Sequence, residues 1–210
     1  MPRVRRELLD AAAELGRRDP SLRRVIDRVG PPDLRRGRPR REHFPELVRA
    51  ICYQQLAGPA ARAIHGRLVE HFGGDPTPDE ILAASTAELR ALGLSGNKTR
   101  SIQDLARRVV EGDVELDRVS RLSDDQIVTE LTLVRGIGRW TAEMFLIFQL
   151  GRLDVWPVDD FGVRKGYATI HGLRESPTAK ALEPLGDRYR PYRSVAAWYC
   201  WRAADTVTPD

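Results

Sequence analysis

Leu131-Thr132-Leu133-Val134-Arg135-Gly136-Ile137-Gly138-Arg139-Trp140-Thr141-Ala142, followed by an apolar helix and then Pro157-Val158-Asp159-Asp160, is the stretch whose reading decides the fold. It reads as a helix, a turn tight enough to need glycine, and a second helix. Ser123-Asp124-Asp125-Gln126 has the form of a capping box and marks the start of the first helix. Ile127, Leu131 and Val134 then fall on one face at i, i+4 and i+7. Gly136 and Gly138 stop that helix and admit positive φ without a Cβ clash. Arg139 to Leu150 is apolar at Ala142, Phe145, Leu146 and Leu150, and Gly151 ends it.

Two glycines around Ile137 let the backbone come close to a partner. The first amides of the following helix lack intrahelical acceptors, which makes a ready anion site, and a nucleic-acid phosphate fits it. The alternative is a helical corner that only packs, with Ile137 buried beneath it. Glycine spacing alone does not choose between them.

Working outward, 210 residues make one compact unit or two small lobes, enough to bury a core. An apolar content of 41% and a charged content of 30% are those of a water-soluble globular chain. No apolar run reaches membrane-spanning length and the N-terminus is charged throughout, so neither signal peptide nor anchor is expected and the cytoplasm is the expected home. Of 34 Lys and Arg, only Lys98, Lys165 and Lys180 are lysine, which leaves 31 arginines, and the sequence pI is near 9.4. Arginine forks suit phosphates, although a GC-rich genome explains much of such an excess. Cys52 and Cys200 are isolated, which excludes a Cys-rich metal or iron–sulfur site. His43, His65, His71 and His171 have no paired-ligand spacing, so no protein-ligated transition metal is expected.

Residues 1–41 hold thirteen arginines against six acids. Glu7 to Leu15 is alanine-rich and helical; Asp19-Pro20 opens a second helix with Leu22, Val25, Ile26 and Val29 on one face and Gly30 closing it. Pro31 to Arg41 is a polar connection with an arginine run, a solvated loop or a DNA contact. Pro45 starts a helix that reaches Tyr53-Gln54-Gln55-Leu56-Ala57-Gly58-Pro59, and another follows to Phe72. The glutamines and Leu56 either cap helix ends and pack or are offered to a ligand as an insertable wedge. Thr77-Pro78-Asp79-Glu80 is a second capping box. Gly93-Leu94-Ser95-Gly96-Asn97-Lys98-Thr99 echoes the Gly-x-x-Thr of Gly138-Arg139-Trp140-Thr141 and precedes a helix through Ile102, Leu105, Ala106 and Val109 to Gly112. After the hairpin, Thr169 to Arg174 loses periodicity, a helix covers about 178–185, and the last runs from Val195 to Ala204 with Trp198, Tyr199 and Trp201. No alternating strand of useful length is present, so the chain reads as all-α.

These residues together resemble the helix–hairpin–helix (HhH-GPD) DNA glycosylase superfamily, and within it the 3-methyladenine DNA glycosylase II, or alkylated-base, branch. The resemblance covers roughly Phe44 to Trp201 and rests on Gly-Ile-Gly-Arg-Trp-Thr-Ala, Tyr53-Gln54-Gln55-Leu56, Gly93-Leu94-Ser95, Val158-Asp159-Asp160 and Arg190-Pro191-Tyr192-Arg193-Ser194, in the family's order. It implies a two-lobed helical protein with the active-site cleft between a central lobe, 45–152, and a second built from 1–44 and 153–210. It also implies a monofunctional N-glycosylase of base excision repair that flips 3-methyladenine-like bases out of double-stranded DNA. A monomer located with the nucleoid is expected.

On this resemblance Asp160 is catalytic and Asp159 structural, although either could simply cap the helix beginning near Phe161. One carboxylate suits the chemistry: N-glycosidic cleavage builds positive charge on the sugar, which a fixed negative charge stabilises, and the same group can orient the attacking water. An alkylated purine is already cationic and leaves with little acid assistance. Trp140 and Trp201, with Tyr53 and Met144, fall on base-pocket positions, since aromatic faces attract a flipped cationic base. Trp198 reads as a core anchor. Gly136, Ile137, Gly138, Arg139, Thr141 and Lys98 fall on DNA-binding positions, with Gln54, Gln55 and Leu56 as wedge candidates.

Bifunctional relatives carry a lysine just before the hairpin threonine; here that position is Trp140, so strand cleavage is not expected. Lys98 holds the comparable slot of the echoing turn, but nothing around it in sequence suggests a depressed pKa. The family's hairpin implies a structural Na⁺ or K⁺ held through the backbone carbonyls of Thr132, Val134 and Ile137, and no other cofactor. The competing readings are a glycosylase for deaminated or other damaged bases and a non-catalytic hairpin protein that only binds DNA.

Overall fold

The capping signals that punctuate the sequence become helix ends in the three-dimensional structure, a computed structural model that describes residues 3–34 and 42–204. In chain order the helices are α1 (Arg3–Arg18), α2 (Pro20–Val29), α3 (His43–Tyr53), α4 (Gly58–His71), α5 (Pro78–Ala83), α6 (Thr86–Ala91), α7 (Gly96–Glu111), α8 (Asp124–Thr132), α9 (Arg139–Met144), α10 (Phe161–His171), α11 (Ala179–Leu185) and α12 (Arg193–Ala203). Among the described residues there is no strand. Most of the arginine run between Pro31 and Arg41, residues 35–41, lies outside the described residues. No described helix is long and apolar enough to cross a membrane.

Thr77 and Ser123 each accept an amide three residues on while the third-residue Glu80 or Gln126 reaches back, and Ser85-Glu88 adds a third such box. Each reciprocal pair satisfies two helix-start amides. Asp19 caps α2 through the amides of Ser21 and Leu22, and Gly112 at φ 82 closes α7. Two expectations need correction. The helix read from Arg139 to Leu150 is α-helical only to Met144. Phe145–Gln149 then widens into a π turn, with the Leu150 amide bonding the Phe145 carbonyl five residues back. And α10 runs on to His171, through the start of the stretch that reads as aperiodic, because Ile170 still points into the core and only Gly172, at φ 64, turns the chain.

The chain divides into two compact units, Met1–Gly37 with Glu143–Asp210 and Arg38–Ala142. The sequence puts the second boundary at 152/153; the contacts put it at 142/143. The π turn accounts for the difference, since Phe148 lies against the Trp201 ring at 5.7 Å and the Arg152 carbonyl accepts the Ser194 hydroxyl at 2.7 Å.

In the unit drawn from both ends, α10 and α12 pack backbone to backbone. A Cβ on Gly166 would lie 1.8 Å from the Cys200 carbonyl oxygen, so no larger residue fits there. Asp19, almost wholly buried, accepts the Tyr189 hydroxyl at 2.7 Å, and His171 Nε2 lies 3.1 Å from that hydroxyl. This polar chain ties the α1–α2 junction to the end of α10. In the other unit α3, α5 and α6 pack on α7, whose Ile102, Leu105 and Ala106 are fully buried. Burial pushes the Cys52 thiol up to about 11 against the nearby Lys98 charge, and burial raises Cys200 as well, so both remain protonated and inert.

Candidate active site and nucleic-acid interface

The hairpin lies in the Arg38–Ala142 unit. After α8 the Val134 amide bonds the Leu131 carbonyl and the Ile137 amide bonds the Val134 carbonyl, both at 3.1 Å. Gly136, at φ 78, makes the turn between them. Ile137 is 3% exposed. Ile137 therefore faces inward and fixes the turn, and what the turn offers a partner is shape rather than a side chain. The Ala142 amide bonds back to the Gly138 carbonyl at 3.1 Å. The amides before it belong to the helix start, where the dipole favours an anion. Arg139 is exposed, Trp140 is 39% exposed, and Thr141 is buried.

The hairpin is seated on α7. Asp104 accepts the Arg135 amide at 2.8 Å, and a Cβ on Gly136 would meet Ser101 Oγ at 2.6 Å. A side chain at Gly136 is therefore excluded twice, by φ and by space. Gln54 donates its amide N–H to the Gly136 carbonyl at 2.9 Å, which brings the end of α3 to the hairpin. Gln55 and Leu56 stand exposed beyond it, Gln55 at φ 55. Tyr53 is half-buried, with the Arg49 guanidinium 4.6 Å over one face of its ring and the His65 ring set edgewise to it.

Lys98 departs from expectation twice. Its ammonium donates to the Cys52 carbonyl at 2.6 Å, capping α3 rather than extending toward a ligand. Burial also lowers its pKa, with Cys52 opposing, whereas its sequence surroundings suggest no shift. An ammonium spent as a donor is no nucleophile, so the depressed value does not revive that role.

The carboxylate lies in the other unit. Pro157 to Asp160 leads into α10, and the two acids part company there: Asp159 is exposed, while Asp160 is the N-cap and 7% exposed. Asp160 Oδ1 accepts the Val163 amide and the Trp201 indole N–H, each at 2.8 Å. The indole reaches it because Gly166 lets α12 close onto α10. Trp201, expected as a stacking wall, is buried against Phe148 and serves the carboxylate instead. Met144 is buried in the last turn of α9. Among the described residues no three His, Cys, Asp or Glu side chains gather as a metal site.

Sequence reasoning missed how the approach to Asp160 is held. Arg193 grips Asp154 through both carboxylate oxygens, at 2.8 and 3.1 Å, and Arg190 adds a third contact at 3.0 Å. Ser194 Oγ accepts the Val155 amide and donates to the Arg152 carbonyl. Arg193-Ser194 carries the resemblance in sequence, but nothing in sequence names Asp154 as its partner.

The family model described as "HhH-GPD superfamily base excision DNA repair protein" matches residues 48–191. DNA-3-methyladenine glycosylase 1 of Schizosaccharomyces pombe is 36% identical over 200 residues, 94% of this chain and 88% of that protein. The structure of the S. pombe 3-methyladenine DNA glycosylase Mag1 in complex with abasic DNA superposes with a TM-score of 0.81, covering 92% of this chain and 95% of that one. A DNA-3-methyladenine glycosidase from Bacillus halodurans is similar at 34% identity and a TM-score of 0.85, covering 93% and 89%. The chain belongs to the HhH-GPD superfamily of base excision DNA repair proteins.

Proposed function

We propose that this protein is a DNA glycosylase that hydrolyses the N-glycosidic bond of alkylated, 3-methyladenine-like purines in double-stranded DNA, with Asp160 as its catalytic carboxylate. The observation that carries the reading is the clamp on Asp160: two donors converge on Oδ1 at 2.8 Å and fix a buried carboxylate in one orientation. A helix cap needs only the first donor. The second, an indole N–H brought from 41 residues away, is what a preoriented charge requires.

In this reading the hairpin amides and Arg139 grip a backbone phosphate, and the damaged nucleotide is flipped from the stack. The exposed Trp140 ring offers a π face to the cationic base. As the bond to the purine breaks, its electron pair leaves with the base and positive charge grows on the deoxyribose. Asp160 stabilises that charge and orients the water that adds to the anomeric carbon; the water's proton passes to the carboxylate and then to solvent. Carbonyl oxygens of Thr132, Val134 and Ile137 suit a hard monovalent cation, and Val134, which accepts one N–H, keeps a second lone pair for it. Such an ion would stiffen the turn.

The test is incubation of the purified protein with alkylated duplex DNA and chromatography of the released bases, comparing 3-methyladenine, 7-methylguanine, 1-methyladenine, ethenoadenine and hypoxanthine. Release of methylated purines ahead of hypoxanthine is expected. Release of hypoxanthine alone moves the substrate to deaminated bases, and no release with DNA binding intact reduces the protein to a binding module. With tryptophan in place of the lysine, borohydride is expected to trap no protein–DNA adduct; a trapped adduct contradicts the lyase-free reading.

A further inference from the structure

Of the three adjacent side chains at the α3–α4 junction, one is already spent. The Gln54 amide can meet the Gly136 carbonyl only through its NH₂, and it does so at 2.9 Å across 82 residues of chain. Two residues before it, Lys98 holds the Cys52 carbonyl at 2.6 Å. Between these fastenings the chain leaves α3. Gln54 turns out of helical geometry at ψ 132, Gln55 sits at φ 55, and the Leu56 amide bonds the Tyr53 carbonyl at 3.4 Å. Gln55 is the one non-glycine at positive φ among the described residues. That conformation costs about 1–2 kcal/mol and persists only where the surroundings impose it.

Packing does not impose it. Gln55 and Leu56 are exposed, Leu56 by 40%, and a cavity of about 240 Å³ lies beside the loop, lined by Gln54, Gln55, Leu56, Ile64, Ser95 and Lys98. The positive φ is that of a type II turn closed by the Leu56–Tyr53 bond; what pins this turn to the rest of the unit are the two polar fastenings, and both lead to α7. Lys98 is in its first turn, and the hairpin that receives Gln54 is seated on its Ser101 and Asp104.

We infer that Gln54 is not a DNA contact but a positioning residue: with Lys98, it braces the loop so that Gln55 and Leu56 enter the duplex in fixed register with the phosphate-gripping hairpin. This rests on the proposed base-flipping function and assigns the wedge to the two residues after Gln54. The brace links two DNA-facing segments into one rigid piece, so the depth of insertion is set by where the hairpin sits on its phosphate.

The test uses the full chain with Gln54→Glu, which keeps the side-chain shape but cannot donate to a carbonyl, and with Lys98→Met and Lys98→Arg. Two readouts separate the inference from the function it rests on. Hydrogen exchange of the free protein over residues 53–57 reports the brace alone. Affinity for a duplex containing a tetrahydrofuran abasic site, relative to an undamaged duplex, reports insertion. Gln54→Glu and Lys98→Met should speed exchange of the loop and lower the abasic preference about fivefold, the scale of one lost hydrogen bond, on top of the loss that their change of charge brings to both duplexes alike. Lys98→Arg should restore both. Combined with Gln55→Ala, Gln54→Glu should add nothing further, because it acts through the same loop. Unchanged loop exchange overturns the inference, as does an additive double variant or an abasic preference left at the wild-type ratio. A wild-type protein with no abasic preference would count against base flipping itself, and loop exchange would still decide whether Gln54 is the brace.

Discussion

Asp160 keeps its orientation through two donors that differ in origin. The Val163 amide comes with any helix start, whereas the Trp201 indole depends on a second helix. A hydrogen bond to a charged group contributes about 1.5–3 kcal/mol, so Trp201→Phe should lower kcat tenfold or more while leaving KM nearly unchanged. Single-turnover base release measures this, and an unaltered kcat would reduce the indole to packing. Asp19 shows the opposite use of a buried acid. Burial raises its pKa, but the Tyr189 hydroxyl, the Leu22 amide and the charges of His171 and Arg188 together bring it below the usual carboxylate value of 3.8. Its contribution is therefore present above that value and lost as pH falls through the lowered one. His171 is pulled below 6.5 chiefly by burial, which Asp19 opposes and Arg188 and Arg24 reinforce, so it is neutral where the unfolded chain begins to protonate. Stability is thus lost as pH falls from about 6.5 toward the lower folded value. The midpoint of thermal unfolding should drop between pH 7 and pH 5, and His171→Gln should flatten that drop; a wild-type profile already flat there contradicts the assignment.

At the scale of elements, what the sequence reveals depends on how local the signal is. Capping boxes at Thr77 and Ser123, the Asp19-Pro20 start and the glycine ends are written within four residues, and the helices begin and end there. The π turn after Met144 and the close approach of α10 to α12 have no such local mark. Gly166 looks like any glycine in a helix until the Cys200 carbonyl is found beside it. Gly166→Ala should therefore destabilise the fold by about 1–3 kcal/mol despite its higher helix propensity, because neither backbone can yield without moving the indole from Asp160. Denaturant unfolding checks the first part and base release the second; a stabilised variant would show that the helices separate freely. Asp154 with Arg193, and Asp19 with Tyr189, are invisible in sequence for the same reason: partners 39 and 170 residues apart leave no pattern.

For the molecule as a whole, family membership was legible because its motifs are backbone-driven and keep their order, from Tyr53-Gln54-Gln55-Leu56 through the hairpin to Asp160. Roles of individual side chains were less so. Lys98 and Gln54 read as ligand-facing and are instead fastened to carbonyls of the fold, while Trp201 reads as a wall and lies beneath the carboxylate. If the hairpin and Arg139 grip phosphates, affinity for undamaged duplex should fall steeply with salt, and Arg139→Ala should make the slope of log K against log salt shallower by about 0.9. A slope unaffected by that change would remove Arg139 from the footprint. The central claim is that one oriented negative charge carries the chemistry, and Asp160→Asn tests it most directly. The amide still accepts from Val163 and Trp201 through its oxygen but no longer stabilises a cationic sugar. Base release from alkylated DNA should fall by about 10²–10³-fold or more, with DNA affinity preserved. Release within about tenfold of wild type would contradict the account.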